Sequence, residues 1–319
     1  MTSTRSIGRP GLRGYRFLAF LFAGMLLCAA AGETHAERAQ QSFASPEQAA
    51  DTLFTANQAN DKQELLKIFG SGGGKLVQSG DPVADRNGRA RFVAAYGQMH
   101  KLEQEGPDKA VLLIGKEEWP FPIPLVKAEG GWRFDTKAGE EEILNRRIGR
   151  NELNAIEVCR AFVEAERDYA AADPLGDGKH DYAQHFISRA DKHDGLYWEV
   201  AASEKPSPMG PLVANARAEG YGARKTKGKH APYHGYYYKI LKRQGPHAPG
   251  GAKDYVVNGR MTGGFSLVAF PAKYGASGVM TFIVNQDGAI HQRNLGRDGA
   301  AIARAMTAYD PDDGWKPVP

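Results

Sequence analysis

Apolar and polar residues alternate most clearly between Gly263 and Gly296. Phe265, Leu267 and Ala269 share one face of a predicted strand. In "GVMTFIVNQDG", Val279, Thr281 and Ile283 oppose Met280, Phe282 and Val284, so both faces of that strand are predicted to be buried. Asp287-Gly288 supplies a hairpin turn. Further strands are predicted in "GYYYKILKRQG", "KDYVVNG" and "AIHQRNLG". The segment "RDGAAIARAMTAYDPDDGW" predicts a closing helix and an exposed tail.

The pattern upstream is helical first. "SPEQAADTLFTANQANDK" opens with Ser45 as a cap, Pro46 at the first helical position and Gln48 three residues on, and its apolar stripe is Ala49, Leu53 and Phe54. "DKQELLKIFG" predicts a second helix, capped by Asp61 and stopped at Gly70. "RNGRARFVAAYGQM" predicts a third. Four short strands follow: His100 to Glu105, Ala110 to Gly115, Phe121 to Lys127 and Gly131 to Asp135. Pro120, Pro122 and Pro124 place the third at a sheet edge or bulge, because proline has no N–H for the ladder. Residues 42–135 are thus expected to form an α+β, cone-like domain.

From Thr136, the expected cap, a long helix runs to Ala172, with a break or bend at Gly149. It is assigned to the second domain, whose sheet occupies 173–319 with a long, partly helical loop region near 188–232. The fold class is α+β: helices with an antiparallel sheet, then a long helix packed on an antiparallel sheet. A chain of 319 residues fits two domains better than one.

The first 36 residues change this picture. Arg5, Arg9, Arg13 and Arg16 precede an apolar run from Phe17 to Leu27, and Thr34-His35-Ala36 offers a cleavage site before Glu37. A cleaved signal peptide, and a periplasmic or secreted protein, are expected. The run is too short to span a bilayer, and no later segment is apolar enough to do so. Leu27 is too large for a lipid-attachment motif at Cys28. The whole chain carries a formal charge of +4, but removing four Arg and one Glu leaves 37 basic and 36 acidic residues. That balance gives no basic face for nucleic acid. Only Cys159 then remains, in line with Ala155, Phe162 and Val163, which reads as a core thiol.

Candidate chemistry is sparse. Asp173, Asp177 and Asp181 in "DPLGDGKHDYAQHF" partly follow a calcium loop, but Leu175 and Gln184 stand where ligands are required, so a plain turn is the competing reading. His180 and His185 are the alternative metal pair, five apart rather than four. His193 lies close by, and His230, His234 and His247 sit in loops that a fold could bring together. Trp119, Trp132 and Phe134 are candidates to line a pocket in the cone, or to fill its core. "SGGGK" lacks the strand and hydroxyl residue of a phosphate loop. No cofactor is expected beyond the calcium candidate.

The helices-then-sheet order, with its "GGWRFD" strand, resembles nuclear-transport-factor-two-like domains, which often hold a small-molecule pocket. "GYYYKIL", "DYVVNGRMTGGFSLVAFPAKYGASGVMTFIVNQDGAI" and "DPDDGW" resemble an exported bacterial family catalogued as domain of unknown function 2950, which implies an address and an architecture but no chemistry. The helix "NAIEVCRAFVEAERDYAAADP" followed by those strands is also similar in order to the globular heads of type IV pilins and pseudopilins. Here the head-like unit lies inside the chain, its helix is amphipathic and no processing site precedes it. That resemblance implies a borrowed head fold rather than a filament subunit. Three functions follow as expectations: a non-catalytic module contacting an envelope or extracellular protein; a binding protein using the cone; and a hydrolase or metal enzyme using 173–194.

Overall fold

The computed structural model describes residues 40–318 except 191, 202 and 223–230. The leader with Cys28, the basic run from Arg224 to Lys229 and His230 lie outside the described residues.

Local capping sets the helices. α1 (Pro46–Gln58) begins where Ser45 Oγ accepts the Gln48 amide at 3.2 Å, while Gln48 Oε1 accepts the Ala44 amide at 2.8 Å. α2 (Lys62–Phe69) is capped by Asp61 and ends at Gly70, whose φ of 66° suits glycine. "SGGGK" then forms a 3-10 turn (Gly70–Gly72) and the short α3 (Gly73–Val77). α4 (Pro82–Gln98) starts at Asp81, which accepts the Val83 and Ala84 amides.

The first sheet is antiparallel: β1 (His100–Gln104), β2 (Lys109–Ile114), β3 (Trp119–Pro120), β4 (Leu125–Ala128) and β5 (Gly131–Phe134). Its order is β1-β2-β4-β5, with β3 also on β2. The strand expected over Phe121 to Lys127 is thus shortened at its start to β4, since Pro122 and Pro124 cannot donate to a ladder. Leu53, Leu65, Ile68, Leu125 and Phe134 form the core between helices and sheet.

α5 (Thr136–Ala172) is one helix of 37 residues. Its cap is Asp135, not Thr136: Asp135 accepts the Ala138 amide, and the Thr136 hydroxyl instead donates to Phe69 O at 2.9 Å. It continues through Gly149 without a break. Its first turns pack on the cone, through Ile143. From Ala155 onward it packs on the second sheet.

α6 (Gly210–Ala218) lies within the long loop region. The strands after it are β6 (Tyr236–Leu241), β7 (Arg243–Gln244), β8 (Lys253–Asp254), β9 (Val256–Val257), β10 (Arg260–Met261), β11 (Ser266–Pro271), β12 (Thr281–Asn285) and β13 (Ile290–Arg293). α7 (Gly299–Ala305) and β14 (Lys316–Pro317) close the chain. The main sheet is antiparallel, in the order β14-β13-β12-β11-β6.

Period-2 patterning explains its two cores. Phe265, Leu267, Ala269, Phe282 and Val284 meet Cys159, Phe162 and Val163 of α5. Val268, Phe270 and Ile283 face the other way, onto Ala303, Tyr309 and Trp315. The tail is not free: Lys316–Pro317 pairs with β13, and the buried Trp315 anchors it on that second face. The chain is therefore α+β, and both sheets belong to one compact unit.

Candidate ligand-binding cavity

The cone holds a half-open cavity of ≈450 Å3 between its sheet, α4 and the start of α5. Burial sorts its lining. Leu76, Phe92, Phe121 and Ile143 keep part of their surface and form its apolar wall, while Leu53, Leu65 and Ile123, at most 3% exposed, are core side chains closed behind that wall. Trp119, Arg91, Arg146 and Arg150 are exposed and mark the opening. Two helical stripes make this mouth. α4 supplies Ala84, Gly88, Arg91, Phe92 and Ala95 at helical spacing; α5 supplies Ile143, Arg146, Arg147, Arg150 and Asn151.

The five arginines of the lining have different tasks. Arg147 donates to Lys75 O at 2.6 Å and Leu76 O at 2.7 Å, and Arg89 Nη1 reaches Val77 O at 3.3 Å. These are carbonyls at the C-terminus of α3, which lack intrahelical partners, so both arginines serve as its cap. Arg89 Nε also donates to Asn60 Oδ1 at 2.6 Å. Arg146 pairs with Glu142 and lies over the Trp119 ring, 4.9 Å from its centroid. Arg91 and Arg150 make no hydrogen bond or ion pair with any described residue.

Charge is poorly balanced here. The one carboxylate in the lining, Asp85, accepts the Ser79 amide at 3.1 and 3.2 Å. Desolvation, then the charge of Arg150, pulls the Arg91 guanidinium below its ordinary pKa. Desolvation also lowers Arg147, with Asp85 opposing and Arg150 and Arg89 adding repulsion.

A cavity of this size that sets an apolar wall beside fixed polar groups has the form of a small-molecule site. The residues matched by the family model described as "Protein of unknown function (DUF2950)" run from 40 to 318. The chain belongs to the DUF2950 family. No curated protein and no solved structure matches it.

In this DUF2950 chain the sequence candidates fall in different places. Trp119 stands at the cavity opening, 43% exposed. Trp132 and Phe134 are packed in the cone core beside it. Asp173 Oδ2 accepts the Gly178 amide at 2.7 Å. Asp177 pairs with Arg260 through two bonds of 2.6 and 3.1 Å, which hold its carboxyl below the usual range. The buried Asp181 lies 2.7 Å from Arg260 Nε. Among the described residues no three His, Cys, Asp or Glu side chains gather as a metal-binding group. His180 Nδ1 bonds Ala170 O at 2.7 Å, whereas His185 lines a second cavity of ≈1040 Å3 with Phe186, Tyr197 and Tyr238. His193 stacks on Trp198. His234 approaches Glu219 and His247 approaches Asp310, so these two loop histidines have separate partners. Cys159 is fully buried, and burial pushes its thiol up to about 12. Among the described residues no helix is long and apolar enough to cross a membrane.

Sequence reasoning missed Gly88, Arg91 and Arg150. The available signal was a glycine, Gly88, inside the segment predicted as the third helix, which costs helix stability and so asks for a reason.

Proposed function

We propose that the protein is an exported, non-catalytic binding protein that takes one small, largely apolar molecule into the cone. The carrying observation is the ≈450 Å3 cavity, in which Leu76, Phe92, Phe121 and Ile143 form an apolar wall and Arg91, Arg146 and Arg150 stand at the opening. The basic, apolar and small-residue sections of 1–36 support export.

Gly88 provides the test. A Cβ placed there would meet only Arg91 Nη2, at 3.9 Å, so a larger side chain has room to enter the cavity. The neutral fluorophore N-phenyl-1-naphthylamine is expected to bind the mature protein at one equivalent. Gly88→Leu is expected to abolish that binding while the protein stays folded. Absence of probe binding, or binding indifferent to Gly88→Leu, would overturn this reading.

A further inference from the structure

We propose that the mouth of the cavity holds the anionic head, carboxylate or phosphate ester, of a single-chain amphiphile between Arg91 and Arg150, with its tail along Leu76, Phe92, Phe121 and Ile143. The inference rests on the cone being a binding site and adds the class of its ligand.

The argument is one of elimination among the arginines. Arg89 and Arg147 are committed to the carbonyls at the end of α3, and Arg146 to Glu142 and Trp119. Those bonds explain why they are there. Arg91 and Arg150 have no such explanation among the described residues. They come from helices far apart in sequence, line the same opening and are close enough to repel one another. Of the nearby acids, Asp85 accepts the Ser79 amide, and Glu219 attracts Arg91 from a distance without forming an ion pair with it, its contact at 3.3 Å being with His234. Two guanidinium groups at the rim of a cavity with an apolar wall suit an anion that accepts from both. The apolar wall beside them, Leu76, Phe92, Phe121 and Ile143, suits a hydrocarbon chain. A free anion would use only the rim, and a neutral lipid only the apolar wall.

Calorimetric titration of the full mature protein separates these cases, using decanoate, decyl phosphate, decan-1-ol, acetate and inorganic phosphate. Decanoate or decyl phosphate should bind at least about tenfold more tightly than decan-1-ol, the scale of one charge-assisted contact. The tighter of the two assigns the head group. Acetate and inorganic phosphate should bind far more weakly than their decyl counterparts. Added salt should weaken the acids and spare the alcohol. Replacing both arginines (Arg91→Gln with Arg150→Gln) should cost the acids about tenfold or more and leave decan-1-ol unchanged. The charge-retaining pair Arg91→Lys with Arg150→Lys should keep most of the affinity. Equal affinities for acid and alcohol would overturn the anion assignment while leaving the binding cone standing. Equal losses for acid and alcohol in the Gln pair would reduce the arginines to a structural role. Inorganic phosphate binding as well as decyl phosphate would overturn the amphiphile. If no decyl compound and no neutral probe binds, the binding cone itself fails.

Discussion

The Asp81 carboxylate accepts the Tyr221 hydroxyl at 2.9 Å across 140 positions of sequence. Its Oδ2 also takes the Gly235 amide at 2.8 Å, and its Oδ1 caps α4. One fully buried side chain thus ties the helix that walls the cavity to the turn before β6. Tyr221→Phe removes one of these donors and leaves the charge in place. It is expected to lower unfolding free energy by about 1–3 kcal/mol in urea denaturation. Asp81→Ala should cost more, because it also removes a helix cap and leaves two buried donors without a partner. Equal stability of both variants and wild type would show that the tie carries no energy.

Residues close in sequence made much of the fold legible. Ser45, Asp61 and the alternation around Phe282 act through neighbours a few positions away, and their consequences follow from local rules. The cavity was less legible because its wall is built from α4 and α5, which no local rule brings together. The α4 stripe of Ala84, Gly88 and Ala95 carries little apolar weight and gives no hint of a chamber behind it. Arg89 and Arg147 look like surface charges until the end of α3 is placed beside them. Trp119 was legible as a candidate because it is aromatic beside predicted strands. Trp132 shares that signature and goes to the core, since strand parity and not residue type decides which way a side chain points. The same limit applies to Asp177 and Asp181, whose partner Arg260 is far along the chain.

Glu166 gives a pH dependence of definite sign. It is completely buried in α5; Oε2 accepts the Ala183 amide at 2.8 Å, and Oε1 meets no donor among the described residues. Burial raises its carboxyl well above the ordinary 4.5, against the lowering effect of that amide. Above about pH 4.5 the unfolded chain has released this proton while the folded chain retains it, so unfolding releases a proton and becomes easier as pH rises. Within that window the residue's contribution should fall by about 1.4 kcal/mol per pH unit, until the folded carboxyl itself ionises. Glu166→Gln, which imitates the protonated form, should therefore gain on wild type as pH is raised. Chemical denaturation at several pH values checks this; a constant difference would mean the carboxyl ionises normally.

Phe282 is 1% exposed and packs beside Tyr236 at a ring separation of 5.9 Å. Phe282→Ala should cost about 3–5 kcal/mol, because the ring leaves a cavity in a core closed by α5. Asp177→Ala breaks a partly exposed pair with Arg260 and an exposed hydrogen bond from the Lys179 amide, and should leave the melting temperature nearly unchanged. Since Arg260 already answers Asp177 and Asp181, calcium should not raise that temperature. A calcium-dependent rise that Asp177→Ala abolishes would restore the carboxylates as a metal site.

Two helical glycines should respond in opposite directions to the same added methyl. At Gly88 the nearest atom to a new Cβ is the flexible end of Arg91, at 3.9 Å. Gly88→Ala should stabilise the protein by about 0.5–1 kcal/mol, the difference in helix propensity. At Gly139 a Cβ would lie 2.5 Å from Pro122 O and 2.8 Å from Ile123 Cα, both backbone atoms that cannot step aside singly. Gly139→Ala should therefore destabilise, by about 1–3 kcal/mol for overpacking, despite the same gain in propensity. Thermal melts of the two variants test both statements. If Gly88→Ala is indeed more stable, the native glycine lowers stability at a position where nothing in the fold requires it. Its remaining consequence is the open space beside Arg91, which a bound molecule would use. If Gly88→Ala is less stable, the helix wall is tighter than its neighbours imply, and the room claimed for Gly88→Leu disappears with it.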